Sequence, residues 1–323
     1  LLGNKVRQEL ERVEAELQTL KEQMKTYQSA SKADNTRKSY KTNWHHFEDW
    51  CEQHRLPSLP TNEETYGLYL TALANSGYKA STISRRMSTI ATAHELAGHA
   101  SPNTKNIRSV IWAGIRRLHG VEEKGKQPIV LEVLLPMLAA IPNSLLGARD
   151  RAMVLLGFAG AFRRSELVGL DVEDIGFVPK GLVVNIRRSK TDQEGKGQSI
   201  GIPRGTKPET CPVTAYQAWI EAAGLTSGPV FRPMNRHGAI LPKRLSDRAV
   251  ARVVKIYAAA AGLDETEFAG HSLRSGLATV SWQAGKSERA IMVQTRHTTV
   301  ASVRKYIRPK SLFIENAADG IGL

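Results

Sequence analysis

The sequence predicts a mainly α-helical chain that carries one small antiparallel β-sheet and is built as two globular parts. Three observations predict it. Apolar residues recur at steps of three and four through most of the chain, the spacing of helices with one buried face. The period shortens to two only around residues 182–186 and 199–202, on either side of a turn rich in Lys, Gly and Gln. A polar stretch at 121–128, containing Glu122, Glu123, Lys124, Gly125 and Lys126, has no apolar period and divides 323 residues into parts long enough to bury real cores.

The elements follow in order. In residues 1–28, Val6, Leu10, Val13, Leu17, Leu20, Met24 and Tyr27 alternate steps of four and three, the seam of a candidate coiled coil over three heptads. The rival reading of that segment is a solvated helix packed on its own chain. Residues 29–120 read as a helical domain. Asn35 and Thr36 are expected to cap a first helix whose Tyr40, Trp44, Phe47 and Trp50 share a face, ended by Pro57 and Pro60. Helices are expected over 63–76 and 82–97, the latter stopped by Gly98, and a fourth opens at Pro102 and Asn103 and runs through Ile107, Val110, Ile111, Ile115 and Leu118. Residues 129–323 form the second, α+β part, with helices over 131–141 and 148–162, a first strand over 172–178, the two short strands noted above, and helices from Pro212 onward. A tail helix is expected over 311–318.

The net charge is +14 and the pI about 9.8, which favours a polyanionic partner. The basic excess lies on the two globular parts, since residues 1–28 are balanced. Cys51 and Cys211 are the whole cysteine content and suggest neither a disulfide framework nor a zinc site, so a reducing intracellular setting is expected. No membrane segment and no metal or other cofactor is expected. His94 and His99 imitate a metalloprotease motif, but they stand five positions apart rather than four and do not share a helix face. Gly195 and Gly197 are a hairpin feature without the context of a nucleotide loop.

The chemistry concentrates near the C-terminus. Gly270-His271-Ser272-Leu273-Arg274 is followed 23 positions after Arg274 by His297, and nine positions later by Tyr306. Upstream stand Ala161-Phe162-Arg163-Arg164-Ser165-Glu166-Leu167 and the strand-borne Arg187-Arg188-Ser189-Lys190. Two arginines can fork onto one phosphate. Histidines can donate to it or move protons. A lysine can protonate a leaving oxygen, and a tyrosine can attack phosphorus and hold it as an ester. Arginines supply the charge that a metal would otherwise supply.

In residues, order and spacing, this constellation resembles the tyrosine recombinase (phage integrase) family. The resemblance makes Arg163 the first catalytic arginine, chosen over Arg164 because it lies two before Ser165, and makes Glu166 its supporting acid. It makes Lys190 the strand-borne catalytic lysine, His271 and Arg274 the His-x-x-Arg box, His297 the second histidine and Tyr306 the nucleophile. Thr36, Tyr40 and Trp44, then Ser81-Thr82-Ile83, His94 and Pro102, resemble the SAM-like core-binding domain of the same family. Residues 129–323 then become its catalytic domain.

The resemblance implies double-stranded DNA with an inverted-repeat core site, a dimer on one site, and a tetrameric synapse with a Holliday junction. It also implies a 3′-phosphotyrosyl intermediate formed without metal or ATP, in a bacterial cytoplasm. Expected DNA contacts are Arg85 and Arg86 in the first domain and Lys190, Arg232, Arg236, Lys243, Arg244 and Arg248 in the second. A mobile-element role in cointegrate resolution or in integration and excision is expected, and a need for accessory proteins is left open. Two rivals share these residues: a type IB topoisomerase-like enzyme, and a DNA-binding relative without catalysis.

Overall fold

The structure is a computed structural model, and it describes residues 18–20, 22–23, 34–120, 125–187 and 197–307. Residues 18–20 and 22–23 are helical; the rest of the expected coiled coil, residues 121–124 of the expected linker, Lys190 with its hairpin tip, and the expected tail helix lie outside the described residues. The chain divides into two compact units, Leu1–Lys124 and Gly125–Leu323.

In the first unit, α1 (Asp34–Gln53), α2 (Glu63–Asn75) and α3 (Ala80–Leu96) pack around Phe47, Tyr66, Tyr69, Leu70, Ile83 and Ile90, all essentially inaccessible to solvent. α1 starts one residue before Asn35, so the expected cap falls inside the helix. α2 is capped by Asn62, whose side chain accepts the Thr65 N–H at 2.8 Å. His94 is buried at the end of α3. Its Nε2 accepts the Thr61 N–H at 3.0 Å and its Nδ1 faces the Ile90 carbonyl at 2.8 Å, so both ring nitrogens serve the fold. The expected fourth helix differs in form. Ile107–Trp112 is a π-helical stretch that continues into α4 (Ala113–His119), with Ile107 and Ile115 buried.

The second unit is built on α6 (Leu145–Ala159), flanked by α5 (Leu131–Ala139), α8 (Pro212–Ala222) and α9 (Asp247–Ala260). α6 is buried around nearly its whole circumference from Ala152 to Phe158, which explains its lack of a polar face. Ser144 caps it, accepting the Gly147 N–H at 3.1 Å; the helix therefore begins before the expected residue 148. A short helix α7 (Arg164–Gly169) follows. The expected first strand opens instead as a 3-10 turn over Val172–Asp174, and only β1 (Ile175–Val178) is extended.

β1 pairs with β2 (Gly181–Ile186) and β2 with β3 (Gln198–Pro203), all antiparallel in the order β1-β2-β3. Leu182, Val184, Ile186, Ile200 and Ile202 point into the core, and the alternate residues face out. Gly181 has φ +152° and no room for a side chain: a Cβ would lie 2.1 Å from the Ile202 carbonyl oxygen. The unit closes with α10 (His271–Gln283), α11 (Glu288–Thr295) and α12 (Val300–Ile307). Ala278, Ile291 and Val303 form a small cluster separate from the main core, with Trp282, Met292 and Tyr306 packed against it. No helix among the described residues is long and apolar enough to cross a membrane, and among them no group of three or more His, Cys, Asp or Glu residues is placed to hold a metal ion.

Candidate active site

Four elements bring the predicted side chains together. Arg163 is the residue before α7, delivered by a tight turn in which Ala161 takes a left-handed φ of +45°. Glu166 lies on the first turn of α7 and is buried. One carboxylate oxygen accepts the Arg163 N–H at 2.9 Å, closing the helix start, and the other meets the Arg163 guanidinium at 2.6 Å. The neighbouring arginines hold the Glu166 carboxyl below its ordinary range, although burial pushes the other way. Arg164 is exposed and reaches Asp247 at 3.6 Å, so the two adjacent arginines have different surroundings.

His271 and Arg274 lie one turn apart on α10, which puts them on one face. The Arg274 side chain is fully buried. Its Nη1 donates to the Ala161 carbonyl at 2.7 Å, while Nε and Nη2 have no hydrogen-bond partner. Burial, with Arg163 and Arg296 alongside, pushes this guanidinium down to about 10, so it stays charged at neutral pH. A buried cation with two unused donors is costly unless an anion is to meet them.

Tyr306, on α12, is half-buried. Its hydroxyl lies 2.6 Å from His271 Nε2, and its ring stacks on that of His297 with centroids 5.3 Å apart and planes 26° from parallel. The Thr279 hydroxyl donates to the Tyr306 carbonyl at 3.0 Å, tying the α12 backbone to α10. His297 Nδ1 sits 2.8 Å from the Thr295 hydroxyl, which fixes the ring plane. Burial, then the charges of Arg274, Arg163, His271 and Arg296, lowers the His297 pKa to about 4; the ring is neutral at pH 7. Tyr257 is buried and its hydroxyl donates to Asp150 at 3.0 Å.

One member of this cluster escaped the sequence reading. Arg296 is buried, with one terminal nitrogen donating to the Ala161 carbonyl and paired with Glu166, each at 2.9 Å. Its position beside His297 was the available signal.

The expected phosphate-contacting cations differ in their surroundings. Arg85 is exposed on α3. Arg86 is buried: its guanidinium lies 4.3 Å from the Tyr78 ring centroid and one terminal nitrogen is 3.0 Å from His46 Nε2, so it belongs to the packing of the first unit. Arg244 donates to the carbonyls of Val168 and Leu170 and pairs with Asp171, which closes the end of α7. Arg232 turns back onto the carbonyls of Pro229 and Ser227. Arg236, Lys243 and Arg248 are exposed.

Residues 131–311 match the model of the phage integrase family. The chain belongs to that family. It is 42% identical to an integrase/recombinase xerD homolog of Selenomonas ruminantium, over 89% of this chain and 85% of that protein. Its fold is similar to a lambda integrase dimer bound to a COC′ core site (TM-score 0.59, 17% identity, 89% of this chain and 93% of that one). It is also similar to a Tn1549 transposon integrase in complex with transposon right end DNA (TM-score 0.57, 17% identity, 85% and 90%). The chain is a tyrosine recombinase, an enzyme of site-specific recombination.

Proposed function

We propose that Tyr306 is the nucleophile of a DNA strand-exchange reaction and that Arg163, Arg274, His271 and His297 surround the phosphate it attacks. The observation that carries this reading is the contact of 2.6 Å between the Tyr306 hydroxyl and His271 Nε2. A free phenol with pKa near 10 is almost wholly protonated at neutral pH and needs a base within hydrogen-bond reach. His271 takes the phenolic proton as the Tyr306 oxygen bonds to phosphorus, and the bond from phosphorus to the 5′-oxygen breaks. The unused Arg274 donors and the Arg163 guanidinium meet the charge on the non-bridging oxygens. Lys190 protonates the departing 5′-oxygen. A 3′-phosphotyrosyl link remains, and attack by a 5′-hydroxyl of a second strand reverses the chemistry, by way of a Holliday junction. No bond energy is lost, so no nucleotide is consumed.

The substrate is double-stranded DNA with an inverted-repeat core, bound by a dimer and paired in a tetramer, in a bacterial cytoplasm. The likeness to a Tn1549 integrase supports a mobile-element role, either cointegrate resolution or integration and excision. A nicked suicide duplex carrying the core site tests the chemistry. The parent protein should form a denaturation-resistant protein–DNA adduct, and Tyr306→Phe should bind the duplex without forming one. An adduct from Tyr306→Phe removes Tyr306 from the role. Relaxation of plasmids that lack the site would favour a topoisomerase, and binding without any adduct a silent relative.

A further inference from the structure

Arg296 occupies a place that a large side chain ordinarily avoids. It ends α11 in the left-handed region, φ +55° and ψ +43°, where glycine or asparagine is the usual cap. Such a conformation persists when its surroundings determine it, and here they do. One terminal nitrogen donates to the carbonyls of Gly160 and Gln294, each at 2.9 Å. The other donates to the Ala161 carbonyl and to Glu166 Oε2, again at 2.9 Å each. The guanidinium lies over the Phe162 ring, 5.3 Å from its centroid.

The partners of Arg296 are the partners of the phosphate-binding pair. The Ala161 carbonyl that it holds also accepts from Arg274. The Glu166 carboxylate that it holds also grips the Arg163 guanidinium and backbone N–H. Gly160 and Ala161 form the turn that delivers Arg163. One buried cation thus braces, at the same time, the turn before Arg163, the carboxylate that orients Arg163 and the carbonyl that orients Arg274.

We propose that Arg296 is a positioning residue for strand cleavage, setting the spacing of Arg163 and Arg274 through Glu166 and the Ala161 carbonyl without touching DNA. Both of its terminal nitrogens are spent on the protein, two contacts each, which leaves only the buried Nε without a partner, whereas Arg274 keeps both Nε and Nη2 unused. The inference rests on the reading of Arg163 and Arg274 as phosphate ligands.

The test uses the full chain and the nicked suicide duplex in single turnover, with DNA concentration varied so that binding and the chemical step separate. The variants are Arg296→Gly, Arg296→Gln and Arg296→Lys. Glycine relieves the left-handed backbone, so if Arg296 were only a helix cap this variant would melt at or above the parent temperature and cleave normally. The expected result is a cleavage rate at saturating DNA reduced about 100-fold in Arg296→Gly and Arg296→Gln, the order of loss that a displacement of about 1 Å produces. The concentration for half-maximal rate should move less than about threefold. Arg296→Lys keeps the charge but cannot bridge the three carbonyls and the carboxylate, and should fall between.

A double-mutant cycle supplies the readout that a general loss of stability does not move. In a Glu166→Gln background, adding Arg296→Gln should cost less than about threefold more, because both changes disable one device. Multiplying losses in that cycle would overturn the proposal, as would cleavage within about twofold of parent in Arg296→Gly. If Arg296→Gln melts below the assay temperature, Arg296→Lys and Arg296→Gly decide the outcome by the same criteria. Failure of the parent protein to form any adduct would count against the Tyr306 reading, whereas undiminished adduct formation in the variants counts against this inference alone.

Discussion

Gly276 sits inside α10, two residues beyond Arg274, and a Cβ there would lie 2.0 Å from the Ile129 carbonyl oxygen and 2.7 Å from its carbon. Both atoms are backbone, so no rotamer change relieves the overlap. Gly276→Ala should therefore force apart α10 and the segment at 127–130, by about 1 Å if an ordinary carbon–oxygen contact of ~3.3 Å is to be restored. That segment is held by the Ile129 N–H on the Ser272 carbonyl at 2.9 Å and the Gln127 N–H on the Glu267 carbonyl at 2.8 Å. Overpacking costs about 1–3 kcal/mol, and weakening the two hydrogen bonds adds about 1 kcal/mol each at most. The better helix propensity of alanine returns about 1 kcal/mol. The balance is a loss of up to about 4 kcal/mol, about 2 kcal/mol at the middle of these ranges and opposite in sign to the usual effect of this substitution in a helix.

Gly114 supplies the control: it is helical, and a Cβ there meets nothing within 4 Å. Gly114→Ala should gain up to about 1 kcal/mol. Urea denaturation followed by circular dichroism reads both signs, and the suicide duplex reads the consequence for Arg274, where a shift of this size should slow cleavage about 10- to 100-fold. If Gly276→Ala matches or exceeds the parent in stability and cleaves at the parent rate, the close approach does not hold α10 in place and the reasoning fails.

Arg86→Ala should destabilise the first unit by about 1–3 kcal/mol, through lost packing on Tyr78 and lost contact with His46; a weakened DNA affinity with an unchanged melting curve would return Arg86 to the DNA surface. His297 has a pKa near 4 in the fold and an ordinary value near 6.5 when unfolded, so below about pH 6.5 the unfolded chain binds the extra proton. Its share of stability is intact above pH 6.5 and is lost as the pH falls toward 4. His297→Gln should flatten that part of a stability-versus-pH curve, and an unchanged curve would contradict the buried neutral ring. Cleavage by the parent protein should proceed at the same rate in EDTA; a divalent-ion requirement in single turnover would contradict charge stabilisation by arginine.

The site was legible in the sequence to the extent that its chemistry is carried by side-chain type and order. Arg163, Glu166, His271, Arg274, His297 and Tyr306 could be named because few other tasks call for that set at those intervals, and all six make direct contacts with another member or with the Ala161 turn. Arg296 could not be named, because its importance comes from a left-handed backbone and from carbonyls that a linear pattern does not reveal. Arg86 shows the reverse error. It was counted as a surface cation, yet it shares a helix face with Ile83, Met87 and Ile90, a signal that places it indoors. Helix existence was read well from apolar spacing, but the π-helical turns at Ile107–Trp112 keep nearly the same apolar rhythm as an α-helix, and the 3-10 turn at Val172–Asp174 reads as a strand.

The small apolar cluster under α12 has a thermodynamic consequence of its own. Leu273, Phe162 and Leu167, which flank the arginines, belong to the main core, whereas the Tyr306 helix packs its own Val303 in a small separate cluster with Ala278 and Ile291. Local opening free energies scale with the apolar contacts that must be broken. α12 can therefore detach for far less than the unfolding free energy of the unit, leaving the cation cage assembled while the phenol is withdrawn. Supply of the nucleophile and integrity of the anion receptor become separate equilibria, and amide hydrogen exchange should find them so, with α12 exchanging well before α6 and α10.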